Sequence, residues 1–137
     1  MKKIRRIFLL PFGLIKKLVE IANEGSRDIE NKMRFKDAIV DKGCCINEKS
    51  KIHSNVHLLE NCIINNSVIN SYTYLGKNCL VQNTTIGKFC SIANDVLIGL
   101  GNHPLDLLST SPVFYRRNNP LQIHLIKKDL DILEYKP

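Results

Sequence analysis

Aliphatic side chains recur through the middle of the chain at Ile46, Ile52, Leu58, Ile64, Ile69, Leu75, Val81, Ile86, Ile92 and Ile98. The steps are six residues, with a five at the fourth and seventh intervals. An amphipathic helix repeats its apolar positions every three or four residues, and a half-buried strand every second residue. A step of six fits neither. It fits a solenoid whose coil has three short faces, each delivering one large aliphatic to a shared interior. Sliding the chain by one coil of 17 residues brings Ile52 onto Ile69 and Ile86, Leu58 onto Leu75 and Ile92, and Ile64 onto Val81 and Ile98. The same shift superposes Asn61, Asn78 and Asp95, and Ser50, Ser67 and Thr84.

The residues four places after the aliphatics are Ser50, Val56, Cys62, Val68, Thr73, Cys79, Thr85, Cys90 and Val96, all small or β-branched. A narrow prism needs such residues where the chain rounds a corner beside a large interior neighbour. Cys62, Cys79 and Cys90 are therefore predicted to pack rather than to bind metal or exchange electrons. Gly76, Gly87 and Gly99 directly follow an aliphatic, a position expected to use the freedom of glycine for tight turns and positive φ.

Three segments follow from this pattern. Residues 1–38 hold a basic arm over 1–17 and a predicted helix over 18–38, with Leu18, Ile21, Ala22, Ile29 and Met33 on its apolar side and a weak point at Gly25-Ser26. Residues 39–101 hold about three coils. Residues 102–137 leave the repeat as a loop with His103, Pro104, Pro112 and Pro120, then a polar tail with His124. The aliphatics of 121–135 are the only residues in this segment suited to covering an open end of the solenoid.

Composition narrows the function. The chain has 137 residues and is 44% hydrophobic, which suits one globular domain and excludes a disordered one. The longest apolar run, Ile7 to Ile15, has nine residues and contains Pro11 and Gly13, too short to span a bilayer. The net charge is +7, of which residues 1–17 supply +6 through Lys2, Lys3, Arg5, Arg6, Lys16 and Lys17 with no acid. A nucleic-acid binder would spread its basic residues over the folded surface, so no nucleic-acid partner is expected. The arm has two readings. It is a helix that packs on the body or on another subunit, or it makes weak contact with an anionic membrane surface. Five cysteines without an export signal or a zinc spacing point to a reducing, cytoplasmic setting, with peripheral contact at the inner face of the membrane as the arm's second reading. No metal site is expected.

Units such as Ile86-Gly87-Lys88-Phe89-Cys90-Ser91 resemble the hexapeptide repeats of left-handed parallel β-helix acyltransferases. The run Ile86 to Val96, then Gly101-Asn102-His103-Pro104, then Ser109-Thr110-Ser111-Pro112-Val113-Phe114 is similar to a narrower branch. That branch holds the xenobiotic acetyltransferases and the sugar O-acetyltransferases of surface-polysaccharide clusters. The resemblance covers residues 40–120. It implies an all-β left-handed solenoid, a homotrimer with sites between subunits, acetyl-coenzyme A as acyl donor, and a sugar, polysaccharide or other small-molecule hydroxyl as acceptor. It also implies that His103 is the general base that deprotonates the acceptor.

Imidazole suits that task because it titrates near neutrality, and Pro104 restricts the backbone beside it. The plain alternative is an ordinary loop histidine. Asn102 and Asp106 are candidates for orienting the imidazole or binding the acceptor, and equally for stabilising a turn. Arg116 and Arg117 suit phosphate, or simply solvent; His53, His57 and His124 read as structural or solvent-facing. The chain departs from the branch after Ile98-Gly99, where no further aliphatic–Gly hexad follows. Since coenzyme A lies largely on later coils in that branch, the donor site is expected to be incomplete here. The competing readings are a truncated, inactive hexapeptide fragment with a structural or oligomerising role, and a membrane-associated scaffold.

Overall fold

A computed structural model describes residues 2–130 of the chain, residues 2–5 by their backbone alone. The aliphatic period becomes eleven strands of two or three residues each. They are β1 (Ile39–Val40), β2 (Cys45–Ile46), β3 (Lys51–Ile52), β4 (His57–Leu58), β5 (Ile63–Asn65) and β6 (Val68–Ile69), then β7 (Tyr74–Leu75), β8 (Leu80–Gln82), β9 (Thr85–Ile86), β10 (Ser91–Ile92) and β11 (Leu97–Ile98). All pairings are parallel, in three sheets ordered β1-β4-β7-β10, β2-β5-β8-β11 and β3-β6-β9. The fold is therefore a parallel β-solenoid with three faces.

The strand register superposes the residues that the 17-residue shift superposed. Leu58 pairs with Leu75 and Leu75 with Ile92; Ile64 pairs with Val81 and Val81 with Ile98; Ile69 lies between Ile52 and Ile86. Leu58, Ile64, Ile69, Leu75 and Val81 are fully buried, whereas Ile46, Ile52, Ile92 and Ile98 pack on this core from either end. Eleven strands at three per coil make just under four coils, more than the three read from the sequence. The uncounted rung is β1: Val40 precedes Ile46 by six residues and pairs with Leu58. Val40 to Leu58 and Ile46 to Ile64 are 18-residue steps. Later coils take 17 because the corner after β5, and again after β8, is one residue shorter.

That shorter corner corrects the list of interior small residues. Val68 is a half-buried and Thr85 an exposed strand residue, and the inward slot passes to buried Ser67 and half-buried Thr84 one residue earlier. Their hydroxyls donate to the Asn65 carbonyl at 2.7 Å and the Gln82 carbonyl at 2.6 Å. The Ser50 oxygen accepts from the Ser67 N–H, and the Ser67 oxygen from the Thr84 N–H. A hydroxyl thus serves as both donor and acceptor at a buried corner, which a hydrocarbon cannot do.

The corners also differ from expectation in where positive φ falls. Gly99 has it, at 72°, but Gly76 and Gly87 do not. It falls two or three residues after the aliphatic, on Gly43, Asn55, Asn61, Asn66, Tyr72, Asn78, Asn83, Phe89 and Asp95. Asparagine and aspartate tolerate this region better than other residues with a Cβ. Stacked corners then bond to one another: Asn61 to Asn78 at 3.4 Å, Asn78 to Asp95 at 2.9 Å, and Asn66 to Asn83 at 3.2 Å. At the third corner, Tyr72 and Phe89 stack with centroids 5.1 Å apart, an attraction that opposes the strain of bulky residues at positive φ.

A single helix, α1 (Lys2–Arg34), replaces the expected arm and separate helix. It runs through Pro11 and Gly25, and it stops at Arg34 rather than continuing to residue 38. The Ser26 hydroxyl donates to the Ala22 carbonyl at 2.8 Å, so the Gly25-Ser26 weak point stays helical. Only the C-terminal part of α1 packs on the coils. Buried Asn31 donates to the Cys44 carbonyl at 2.9 Å, and Asp28 accepts from the Gly43 N–H at 3.0 Å. The Arg34 guanidinium donates to the carbonyls of Ile46, Asn47, Glu48 and Ser50. Arg34 also lies 4.8 Å over the ring of Phe35, a residue of the buried core. This end of the helix therefore caps the first coil, as a solenoid requires.

Residues 1–98 form one compact unit and residues 99–137 another. Among the described residues, the second unit has one short 3-10 helix, Pro112–Phe114, which buries Val113 and is followed by buried Tyr115 and Asn119. The Asn119 amide donates to the carbonyls of Arg116, Arg117 and Ile123, and its oxygen accepts from the Leu121 N–H. One buried side chain thus ties an otherwise irregular loop together. Leu121, Ile123, Leu125 and Leu130 are exposed. The rest of the 121–135 segment read as an end cover, from residue 131 on, lies outside the described residues.

Candidate functional site

His103 lies in the irregular stretch between β11 and the 3-10 helix, with an exposed side chain. Its Nδ1 is 3.3 Å from the hydroxyl of Tyr115, and that hydroxyl is 3.2 Å from the Thr110 carbonyl. Tyr115 is buried, at 2% exposure, and its backbone is fixed as well: its N–H donates to the Pro112 carbonyl and its carbonyl accepts from the Leu130 N–H. The exposed imidazole is therefore held by an immobile partner.

The Thr110 carbonyl can only accept. The arrangement that satisfies both contacts has the Tyr115 hydroxyl donating to Thr110 and accepting from Nδ1–H of His103. Nε2 then carries the lone pair and faces away from the restraining bond. A neutral imidazole with one nitrogen anchored and the other free has the form of a general base.

The other sequence candidates are arranged differently. Asn102 and Asp106 are exposed, and neither makes a side-chain hydrogen bond among the described residues. The structure joins neither of them to the imidazole. Arg116 pairs with Asp129 at 3.4 Å, and the same carboxylate accepts from the Arg117 N–H at 2.7 Å. His57 faces Asp41 at 3.3 Å on the outer surface of the solenoid, His53 is exposed, and His124 Nδ1 meets the Arg117 carbonyl at 2.7 Å. Among the described residues, no group of three or more His, Cys, Asp or Glu is placed to hold a metal ion. Tyr115 is the residue that sequence reasoning missed, one place beyond the Ser109–Phe114 segment. Thr110 lies within that segment, but its carbonyl was given no role.

The cysteines behave as interior residues. Cys44, Cys62 and Cys79 are buried at stacked corners, and their thiols donate to the carbonyls of Leu59, Gly76 and Ala93 at 3.1 Å. Hydrogen bonding with the Cys44 thiol, reinforced by burial, pushes the Cys62 thiol up from the ordinary thiol range; burial pushes up Cys79. Cys45 and Cys90 are half-buried, and all five are free thiols. A disulfide-exchange reagent is accordingly expected to titrate at most two thiols in the native protein and all five after denaturation, because Cys44, Cys62 and Cys79 are buried out of its reach. Rapid native reaction of three or more would contradict this packing.

Stacked hexads, asparagine corners and a capping helix define a hexapeptide-repeat solenoid. The family model described as GlmU-like, C-terminal hexapeptide, matches residues 27–107. The chain belongs to that family. The match opens at Arg27, where α1 begins to contact the coils, and ends beyond His103. No curated protein and no solved structure gives a significant match.

Proposed function

We propose that the protein is an acetyl-coenzyme A-dependent O-acetyltransferase acting on a hydroxyl of a sugar or surface polysaccharide, with His103 as general base. The observation that carries this reading is the His103–Tyr115–Thr110 chain, which anchors Nδ1 and, among the described residues, gives Nε2 no hydrogen-bond partner. Membership of the hexapeptide-repeat family supports the acyltransferase class, and likeness to the sugar and xenobiotic branch supports the acceptor class. In the proposed reaction, Nε2 takes the acceptor proton as the hydroxyl oxygen attacks the thioester carbonyl. The tetrahedral intermediate collapses by breaking the carbon–sulfur bond, and the imidazolium returns the proton to the departing coenzyme A thiolate. Backbone N–H groups are the natural stabilisers of the oxyanion. Exposed Asn102 and Asp106 are proposed to meet the acceptor. A homotrimer in the cytoplasm fits the same reading, and the outward row of Ile63, Leu80 and Leu97 on one face of the solenoid offers an apolar contact surface.

Acetyl-coenzyme A turnover over a panel of sugars tests the proposal. His103→Ala is expected to lower kcat by about 100- to 10,000-fold, the usual contribution of a positioned base. Tyr115→Phe keeps the ring but removes the hydroxyl, and is expected to lower kcat by about tenfold with little change in KM. Turnover that ignores His103, or no turnover and no coenzyme A binding, would leave a structural hexapeptide protein instead.

A further inference from the structure

Residues 6–26 of α1 do not pack on the coils, and their apolar side chains face solvent. Phe8 is 71% and Phe12 70% exposed, and Ile7, Leu9, Leu10, Leu14, Ile15, Leu18, Val19 and Ile21 are more than half exposed. At 100° per residue, Leu18, Ala22, Ile29 and Met33 form one stripe. Arg27, Asp28, Asn31 and Arg34, which hold the solenoid, lie roughly half a turn away from it. The apolar stripe thus extends to the end of the helix that holds the coils, on the side away from them.

We propose that this face of α1 docks on an anionic phospholipid surface, with the helix in the plane of the interface and the solenoid on its water side. Charge complementarity selects this occupant. Lys2, Lys3, Arg5, Arg6, Lys16 and Lys17 flank the apolar run, and the first acid in the chain is Glu20. Lys16 and Lys17 share that one carboxylate, at 4.0 and 3.3 Å, so the net charge there stays positive. Two or three copies of this segment side by side would crowd their cations together, whereas a surface of acidic headgroups neutralises them. The apolar pattern agrees. In a self-associating helix the positions away from the seam are polar. Here Leu9 and Leu10 carry apolar surface round towards the otherwise polar side. Among the described residues no helix is long and apolar enough to cross a membrane, so the geometry is that of a helix lying on the surface. This inference does not depend on the acetyltransferase reading, and its test reads no catalysis.

Co-sedimentation with phosphatidylcholine vesicles, and with equimolar phosphatidylcholine–phosphatidylglycerol vesicles, tests it on the full chain. Partitioning onto the anionic vesicles is expected to be stronger by about tenfold or more, and to weaken as salt is added. Phe8→Asp with Ile15→Asp is expected to lower it at least about tenfold by placing charge on the buried face. Lys16→Gln with Lys17→Gln is expected to lower it about tenfold on anionic vesicles only. These exposed side chains bear no load in the solenoid, so thermal unfolding of all variants should match the parent. Equal partitioning on both vesicles, or binding indifferent to Phe8→Asp with Ile15→Asp, would overturn the proposal. So would concentration-dependent self-association that those substitutions abolish in the absence of vesicle binding, which would assign the face to a second copy of the chain.

Discussion

Leu75→Ala is expected to destabilise the protein by about 3–5 kcal/mol, the upper part of the range for a buried leucine. Leu75 is fully buried, with Leu58 paired on one side and Ile92 on the other. In a globular core, neighbours relax partway into a vacated space. Here the rungs above and below are held about 4.8 Å apart by continuous backbone ladders, so the cavity stays open. Urea unfolding gives the comparison: the midpoint should fall with the slope unchanged. Ile63→Ala is the control, because Ile63 is 41% exposed and points outward. It should cost less than about 1.5 kcal/mol. Equal losses from the two variants would mean that interior and exterior are misassigned.

The second large effect separates two glycines that look alike in the sequence. Both follow an aliphatic, and neither has positive φ. A Cβ on Gly76 would lie 2.5 Å from the Asn94 nitrogen and 2.6 Å from the Ala93 carbonyl carbon. Both are backbone atoms of the next coil, which cannot swing aside. On Gly87 it would meet nothing within 4 Å. Gly76→Ala should therefore destabilise by about 2–3 kcal/mol or more through forced separation of the coils. Gly87→Ala should be neutral or stabilising by about 0.5 kcal/mol, because alanine restricts the unfolded chain. Thermal melts of the two single variants check the contrast directly.

The same glycines show what the sequence could reveal. The prism was legible because each rung contributes one large aliphatic at nearly constant spacing, a signal carried by position alone. Corner geometry was less so. Glycine after the aliphatic looked like the turn residue, yet most left-handed positions fall on other residues, asparagine foremost; the alignment of Asn61, Asn78 and Asp95 was visible but not their conformation. Val40 escaped the count because the repeat was read from Ile46 onward, and nothing local marks where a cap ends and a coil begins. Pro11 lies inside α1. On an exposed helix, Pro11 removes one N–H bond to the Ile7 carbonyl, and water can satisfy that oxygen.

The candidate site was partly legible. His103 stood out by its place after the last hexad and beside Pro104. Its restraint by Tyr115 did not, because the contact spans an aperiodic loop in which the partners lie twelve positions apart. The exposed apolar length of α1 was equally hidden. An amphipathic helix reads the same whether its face meets the body, another subunit or lipid, and only the folded chain shows which neighbours it lacks.

Residues one coil apart are stacked, and proton–proton contacts in solution test this most directly. Magnetisation transfer should connect Leu58 with Leu75, Leu75 with Ile92, Ile64 with Val81, and Ile69 with Ile86, the pairs that the ladders place side by side. Backbone amide contacts at the same offset should accompany them. Contacts confined to neighbours three and four residues apart, with none between those pairs, would contradict the solenoid and every assignment built on it.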